Sequence, residues 1–280
     1  MTSLSKRDTL DPKDYLDRIE FAHGIGADSL TPSSSLLRDL HRAHMLSVPF
    51  ENLSIHYHQP IVLDETALFD KIVRRRRGGF CFELNGLFAW LLRTLGFTVT
   101  LHSANVARAD GSYTADFDHL ALQVHQLDGA NWLVDVGFGD LFVYPIHFQP
   151  DIEQDGGDRH RYRLSRPGAQ TGPDGGDSTG SMSEHWLLQR DGEAGCEPQY
   201  RFTLHPYTLP DFSDRCHYLQ TSPESPFTQK RVCSLALPDG RVTLSDLRLI
   251  ETTRGTREER TLESEDEYLA VLSDRFGVVI

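Results

Sequence analysis

At Gly96 the spacing of apolar residues changes, and that change constrains the fold more than any other feature of the chain. Before it, Leu84, Leu87, Phe88, Leu91, Leu92 and Leu95 recur every three or four residues, which marks a buried helical face that Gly96 stops. After it, the runs 98–106, 119–125 and 132–136 follow a period of two and are rich in apolar and β-branched residues. Helices followed by strands, without strict alternation of the two, predict an α+β chain.

The remaining segments fit that division. Asp11-Pro12 opens a segment with Tyr15, Ile19 and Phe21 at roughly helical spacing, and Thr31-Pro32 reads as a cap and first helical residue before Leu36, Leu37 and Leu40. Asp64 caps a further helix in which Leu68 and Ile72 stack one turn apart. Residues 150–183 carry many Gly, Asp and Ser and read as a long exposed excursion. Strand signals resume at 184–188 and 200–204, then at 232–237, 241–244 and 248–251. Ser264 with Glu267 forms a capping box for a last helix reaching about Phe276.

Composition excludes several function classes. The formal net charge of −13 lacks the clustered positive field that phosphate backbones or anionic membrane surfaces require. The start of the chain has no apolar h-region, and no run approaches the ~18 apolar residues of a membrane span. A cytoplasmic protein with no nucleic-acid or membrane partner is expected. Its four cysteines form no CxxC pair, so four free thiols in a reducing compartment are expected, each structural by default. His41 and His44 share a helical face, and His56 and His58 lie nearby, but no acidic or thiol ligand completes a zinc set. No metal is expected.

One cysteine stands apart. In Arg77-Gly78-Gly79-Phe80-Cys81-Phe82-Glu83-Leu84-Asn85, two glycines free the backbone just before a cysteine that opens the strongest helix of the chain. A sulfur at the positive end of a helix dipole is stabilised as thiolate, the attacking species of cysteine chemistry. The alternative is a turn followed by a small core residue. A nucleophilic cysteine also needs a base and an orienting group. His119 lies on the strand face opposite Leu120, Leu122 and Val124, and Asp135 lies opposite Trp132 and Val134. Whether the two share a face depends on the hairpin between them. A three-residue loop, Leu127-Asp128-Gly129, pairs Ala121 with Asp135 and leaves His119 a diagonal same-face neighbour about 7–8 Å away. A two-residue loop pairs Leu122 with Asp135 and sends the acid to the other face. A shared site therefore requires the odd loop, with Gly129 left-handed. A core His–Asp pair without catalysis is the alternative.

The segments Val48-Pro49-Phe50-Glu51-Asn52-Leu53, RGGFCFELN at 77–85 and Asp135-Val136-Gly137-Phe138-Gly139, with the chain order Cys81, His119, Asp135, resemble the arylamine N-acetyltransferase family. The match is dense from about residue 36 to 140, thins through 150–200, and returns at Tyr218-Leu219-Gln220-Thr221-Ser222-Pro223. The resemblance implies an N-terminal helical bundle (1–97) carrying the nucleophile, a central antiparallel β-barrel (98–208) carrying His and Asp, and a C-terminal α/β lid (209–280). It implies a cysteine-protease-like triad on Cys81, His119 and Asp135, and acetyl transfer from acetyl-CoA to arylamines or arylhydrazines through an acetyl-cysteine. Acetyl-CoA is then a substrate, with no tightly bound cofactor.

Phe138 is a candidate wall for the acceptor ring, with barrel core as its other role; Phe227 is a similar candidate near the lid. Tyr218 matches a family position near bound CoA, although a buried structural tyrosine is the preferred reading of the residue alone. Arg77 beside the Gly-Gly turn is expected to be buried against Glu51 as a structural support for the Cys81 loop, while Arg74, Arg75 and Arg76 read as a solvated helix end. Competing readings are a thiol hydrolase or transglutaminase-like enzyme, an amide synthase with the same triad, and a catalytically dead binding module.

Overall fold

The structure is a computed structural model that describes residues 10–21, 30–166, 185–192 and 195–280. Helices dominate the first part: α1 (Pro12–Arg18), α2 (Ser34–Ser47), the short strand β1 (Phe50–Glu51), α3 (Leu53–His56), α4 (Glu65–Phe69) and α5 (Cys81–Thr94). Strands follow: β2 (Val99–Val106), β3 (His119–Leu127), β4 (Ala130–Val134), β5 (Ile146–His147), β6 (Gln154–Asp155), β7 (Arg161–Ser165), β8 (Trp186–Gly192) and β9 (Gly195–Phe202). The last part holds α6 (Ser213–Thr221), α7 (Pro226–Gln229), β10 (Val232–Leu237), β11 (Gly240–Ser245), β12 (Arg248–Thr253), β13 (Thr256–Thr261) and α8 (Glu265–Phe276).

Local chemistry fixes the helix starts. The Asp11 carboxylate accepts from the Lys13 amide, and Asp64 accepts from the Thr66 and Ala67 amides, as the sequence suggests. For α2 the expected cap is displaced. Ser33 Oγ accepts from the Leu36 amide at 3.2 Å, and the Asp128 carboxylate takes the Ser34 N–H at 2.8 Å. Two good acceptors for the free amides therefore sit past Thr31-Pro32, and the helix begins there. Helix α4 runs into a π-helical turn, Asp70–Arg74. Arg74, Arg75 and Arg76 are exposed beyond its inner residues, and Arg77 is buried, as expected.

Among the described residues, eight strands form one antiparallel sheet in the order β5-β4-β3-β2-β9-β8-β7-β6. It curls until its two edges nearly meet. There the Gln154 side chain accepts from the His147 N–H at 2.7 Å and donates to the His147 carbonyl at 2.9 Å, lacing β6 to β5. The inner face holds Ala104, Ala121, Leu133, Tyr162, Leu164 and Phe202. On the outer face, Leu101, Leu120, Leu122 and Val124 join Leu84, Leu87, Phe88 and Leu91 of α5 in a second core. Both faces of β3 are thus buried, and Gln123 with them. Strands β6 and β7 correct the reading of 150–183 as an exposed excursion, because Tyr162 and Leu164 alternate into the barrel core. Residues 167–183 of that range, and Glu184 at the start of the expected strand 184–188, lie outside the described residues; β8 begins at Trp186.

A five-stranded antiparallel sheet, β1-β10-β11-β12-β13, packs on α8 through Val242, Leu244, Leu249, Tyr268, Leu272 and Phe276. Its edge strand β1 comes from the Val48–Leu53 motif, with Phe50 opposite Ser234 and Glu51 opposite Cys233. Strand β13 was not anticipated, because Thr-Arg-Glu-Glu-Arg-Thr is exposed throughout and shows no period-two pattern. At α8, Ser264 Oγ accepts from the Glu267 amide as expected, but the Glu267 carboxylate closes on the Glu263 N–H at 2.8 Å. Among the described residues, no helix is long and apolar enough to cross a membrane.

Candidate active site

Cys81 opens α5 and is buried. The loop before it is held by four buried charges, two of each sign. Arg77 Nε donates to Glu51 Oε1 at 3.0 Å, with Nη2 2.9 Å from the same oxygen. Glu51 Oε2 accepts from the Leu53 amide at 2.7 Å. Lys71 Nζ lies 2.7 Å from Glu83 Oε1 and 3.9 Å from Glu51, and Glu83 Oε2 accepts from the Phe80 amide at 3.1 Å. Burial pushes the Glu51 carboxyl up, yet Lys71 and Arg77 outweigh it and leave its pKa lowered. For Glu83 burial wins over Lys71, and the pKa is raised. The expected Arg77–Glu51 contact is present, and Lys71 and Glu83 extend the network to the residue preceding Cys81.

His119 stands at the start of β3 and Asp135 just past β4, both buried. His119 Nε2 lies 2.7 Å from Asp135 Oδ2. The other carboxylate oxygen accepts from Asn85 Nδ2 at 2.8 Å and from the Gly137 amide at 2.9 Å. Asn85 sits one turn along α5 from Cys81. Its Nδ2 also donates to the Leu120 carbonyl at 2.7 Å, and its Oδ1 accepts from the Val136 amide at 2.9 Å. One side chain therefore locks the cysteine helix to the strands that carry His119 and Asp135. Burial raises the Asp135 pKa, but His119, Asn85 and the Gly137 amide together lower it below the ordinary carboxylate value. Gly137 also permits close approach: a Cβ there would stand 2.8 Å from the Cys81 Cα.

Three further side chains wall this pair. His41 of α2 donates from Nδ1 to the Val143 carbonyl at 2.8 Å, and its Nε2 faces the Asp135 amide at 3.4 Å. Burial pulls its pKa down to about 4, so the ring is neutral. Tyr200 packs against His119 with ring centroids 5.1 Å apart. Its hydroxyl is buried near Asp135 without reaching hydrogen-bond geometry, and burial plus that charge push its pKa well up. Phe138 meets His119 edge-on at 5.2 Å.

The electrostatics of Cys81 differ from the expectation drawn from its helix start. Burial, then Asp118 and Asp135, push the thiol well above its ordinary range. Removing the thiolate from water and placing it near two carboxylates both disfavour the charged form.

The hairpin also departs from expectation in its route. Leu127 pairs with Ala130, so the loop is the two-residue Asp128-Gly129, with φ of 53° and 81°. Two left-handed residues form the tight turn whose twist matches the flanking strands. The odd residue lies instead in the strand: the register shifts between Val124 and Leu127, with Gln126 at φ 49° and its amide donating to Asn131 Oδ1 at 2.9 Å. Beyond this bulge Leu122 faces Val134, which brings Asp135 level with Ala121 and onto the His119 face.

A cavity of about 540 Å³ opens onto the site. Cys81 and His119 line it together with Phe50, Phe138, Phe227 and Tyr218. Phe138 lines this cavity and also packs against the barrel core. Phe227 crosses Phe80 edge-on at 5.6 Å. Tyr218 is half-buried rather than buried, with the Arg215 guanidinium 4.3 Å over its ring. Arg215 also binds Asp118, whose carbonyl lies 4.0 Å from the Cys81 sulfur. Sequence reasoning missed Lys71, Glu83, Asn85, His41 and Tyr200. Asn85 carried a usable signal, because a residue four beyond Cys81 shares its helical face.

A helix-borne thiol and a His–Asp pair on a barrel thus meet at one aromatic cavity. A family model described as N-acetyltransferase matches residues 35–280. The arylamine N-acetyltransferase, pineal gland isozyme NAT-3, of Gallus gallus is 33% identical over 290 residues, covering 97% of this chain and 95% of that one. The solved arylamine N-acetyltransferase of Salmonella typhimurium superposes with a TM-score of 0.83 at 29% identity, over 99% of this chain and 92% of that one. The Mycobacterium marinum enzyme solved in complex with CoA gives 0.81 at 30% identity, over 96% and 93%. The chain belongs to the arylamine N-acetyltransferase family.

Proposed function

We propose that this protein moves the acetyl group of acetyl-CoA onto the amino nitrogen of arylamines or arylhydrazines by way of a thioester on Cys81. The observation that carries this reading is the buried 2.7 Å contact between His119 Nε2 and Asp135 Oδ2 beside a cavity that Cys81 and His119 both line. With Nε2 engaged, Nδ1 of His119 is the nitrogen left to serve the sulfur.

In the first half-reaction the Cys81 proton passes to Nδ1, and the sulfur attacks the thioester carbonyl. The bond to the CoA sulfur breaks, and the imidazolium returns its proton to that leaving thiolate. In the second, the amine nitrogen attacks the acetyl-Cys81 carbonyl, His119 takes the amine proton, and the Cys81 sulfur departs and is reprotonated. Asp135 fixes the tautomer and stabilises the transient imidazolium. Phe138 and Phe227 form walls for the acceptor ring, and Tyr218 flanks the path of the CoA arm. The protein works in the cytoplasm, and its three parts, 1–97, 98–208 and 209–280, act as nucleophile bundle, barrel and lid.

Steady-state kinetics with acetyl-CoA and a panel of arylamines and arylhydrazines test the proposal. Parallel double-reciprocal lines are expected. Intersecting lines, or the absence of any arylamine or arylhydrazine turnover, would refute it.

A further inference from the structure

Phe138 sits in a stretch of chain that is held from both sides by groups outside it. On the near side the Gly137 amide donates to Asp135 Oδ1 at 2.9 Å. On the far side two arginines hold successive carbonyls. Arg241 Nη1, from β11, donates to the Gly139 carbonyl and also to Ser234 Oγ at 3.1 Å. Arg190 Nη1, from β8, donates to the Asp140 carbonyl at 3.1 Å. The two arginines come from different sheets, and they converge on the two residues that follow Phe138.

Gly139 makes this convergence matter. Its φ is 105°, in a region that opposes side chains, and a Cβ there would stand 3.2 Å from the Phe50 ring. A glycine at such a point allows either sign of φ, so its own backbone does little to fix the turn. The direction in which Phe138 leaves the chain therefore depends on the carbonyls being held. Phe138 in turn stands edge-on to His119 at 5.2 Å and tilted to Tyr200 at 5.7 Å, and it lines the cavity.

We infer that Arg241 is a positioning residue that sets acceptor selectivity: by holding the Gly139 carbonyl it keeps the Phe138 ring in place as a wall for an aromatic amine, while touching no substrate. Arg190 assists from the barrel side. Arg241 thereby ties β11 to the carbonyl behind Phe138, beside the Ser234 hydroxyl 3.5 Å from the same oxygen. This inference rests on the acceptor reading given above.

The test uses the full-length protein with Arg241→Ala, Arg241→Lys and Arg190→Gln. Cys81 is first acetylated with acetyl-CoA, and transfer is then followed to an aniline and to hydrazine, which has no ring to seat. In Arg241→Ala, transfer to the aniline should fall about tenfold or more, while cysteine acetylation and transfer to hydrazine should stay within about twofold. Arg241→Lys, which keeps a donor, should recover most of the loss, and Arg190→Gln should show the same selectivity change at smaller size. Hydrogen exchange over residues 136–142 should quicken in Arg241→Ala and Arg190→Gln. Equal loss with both nucleophiles, no loss with the aniline, or unchanged exchange would overturn the inference. If the wild-type acetyl-enzyme serves hydrazine but no arylamine, the proposed function fails, and the exchange measurement still decides whether the clamp exists. If Arg241→Ala does not fold, Arg190→Gln and Arg241→Lys decide it.

Discussion

Gln126 determines on which face of the barrel the Asp135 carboxylate emerges. Its left-handed backbone adds one residue to β3, and Leu122 consequently faces Val134 instead of Asp135. Without that residue, the tight Asp128-Gly129 turn would carry the acid away from His119.

Deleting Gln126 should therefore leave a well-paired hairpin and a folded protein but separate His119 from Asp135. Activity should drop by about the factor of 10⁴ typical of a triad that loses its orienting acid. Circular dichroism together with turnover checks this. Near-wild-type turnover in the folded deletion variant would show that the bulge does not set the site.

The charge cluster before Cys81 supports a second expectation. Arg77→Ala leaves Glu51 buried with only Lys71, at 3.9 Å, to face it. Breaking one member of a buried ionic set typically costs about 3–5 kcal/mol, and urea denaturation should show a loss of that order. Arg75→Ala, at an exposed position, is the control and should stay within about 0.5 kcal/mol.

Much of this architecture was legible in the sequence, and the unread parts share physical causes. The period change at Gly96 and the cap at Asp64 follow from spacing and residue type, and the burial of Arg77 from its place beside the Gly-Gly turn. The common face of His119 and Asp135 was reached through the wrong device, because a bulge at Gln126 is a backbone event that its side chain does not advertise. Cys81 looked like a low-pKa thiol from its helix start, and only the three-dimensional burial beside Asp118 and Asp135 reverses that sign. His41 shares a helical face with His44 in the sequence, but its partners, the Val143 carbonyl and the Asp135 amide, lie 102 and 94 residues away in the chain. The polar strand β13 gave no signal because an edge strand with both faces exposed needs no alternation.

The buried histidines set the response to acid. His41 has its pKa lowered to about 4 by burial, below its ordinary 6.5, and His44 is lowered in the same direction by the same cause. The unfolded chain then takes up protons first as the pH falls, so stability is full above pH 6.5 and is lost between there and about 4. His41 alone should account for about 3 kcal/mol across that window. Asp135, with its pKa lowered below 3.8, adds its own loss only below that pH. Denaturant melts at a series of pH values should show the fall, and His41→Gln should flatten it. A stability flat from pH 6.5 to about 4 would contradict the buried, neutral assignment of both rings.

In the proposed reaction Cys81 carries the acetyl group between donor and acceptor. Intact-mass measurement after mixing the protein with acetyl-CoA alone, followed by peptide mapping, tests it directly. One acetyl group is expected on Cys81, none in Cys81→Ala, and its disappearance when an arylamine is added. An unmodified Cys81 in a preparation that still acetylates arylamines, or an acetyl group found stably on another residue in Cys81→Ala with activity retained, would contradict it.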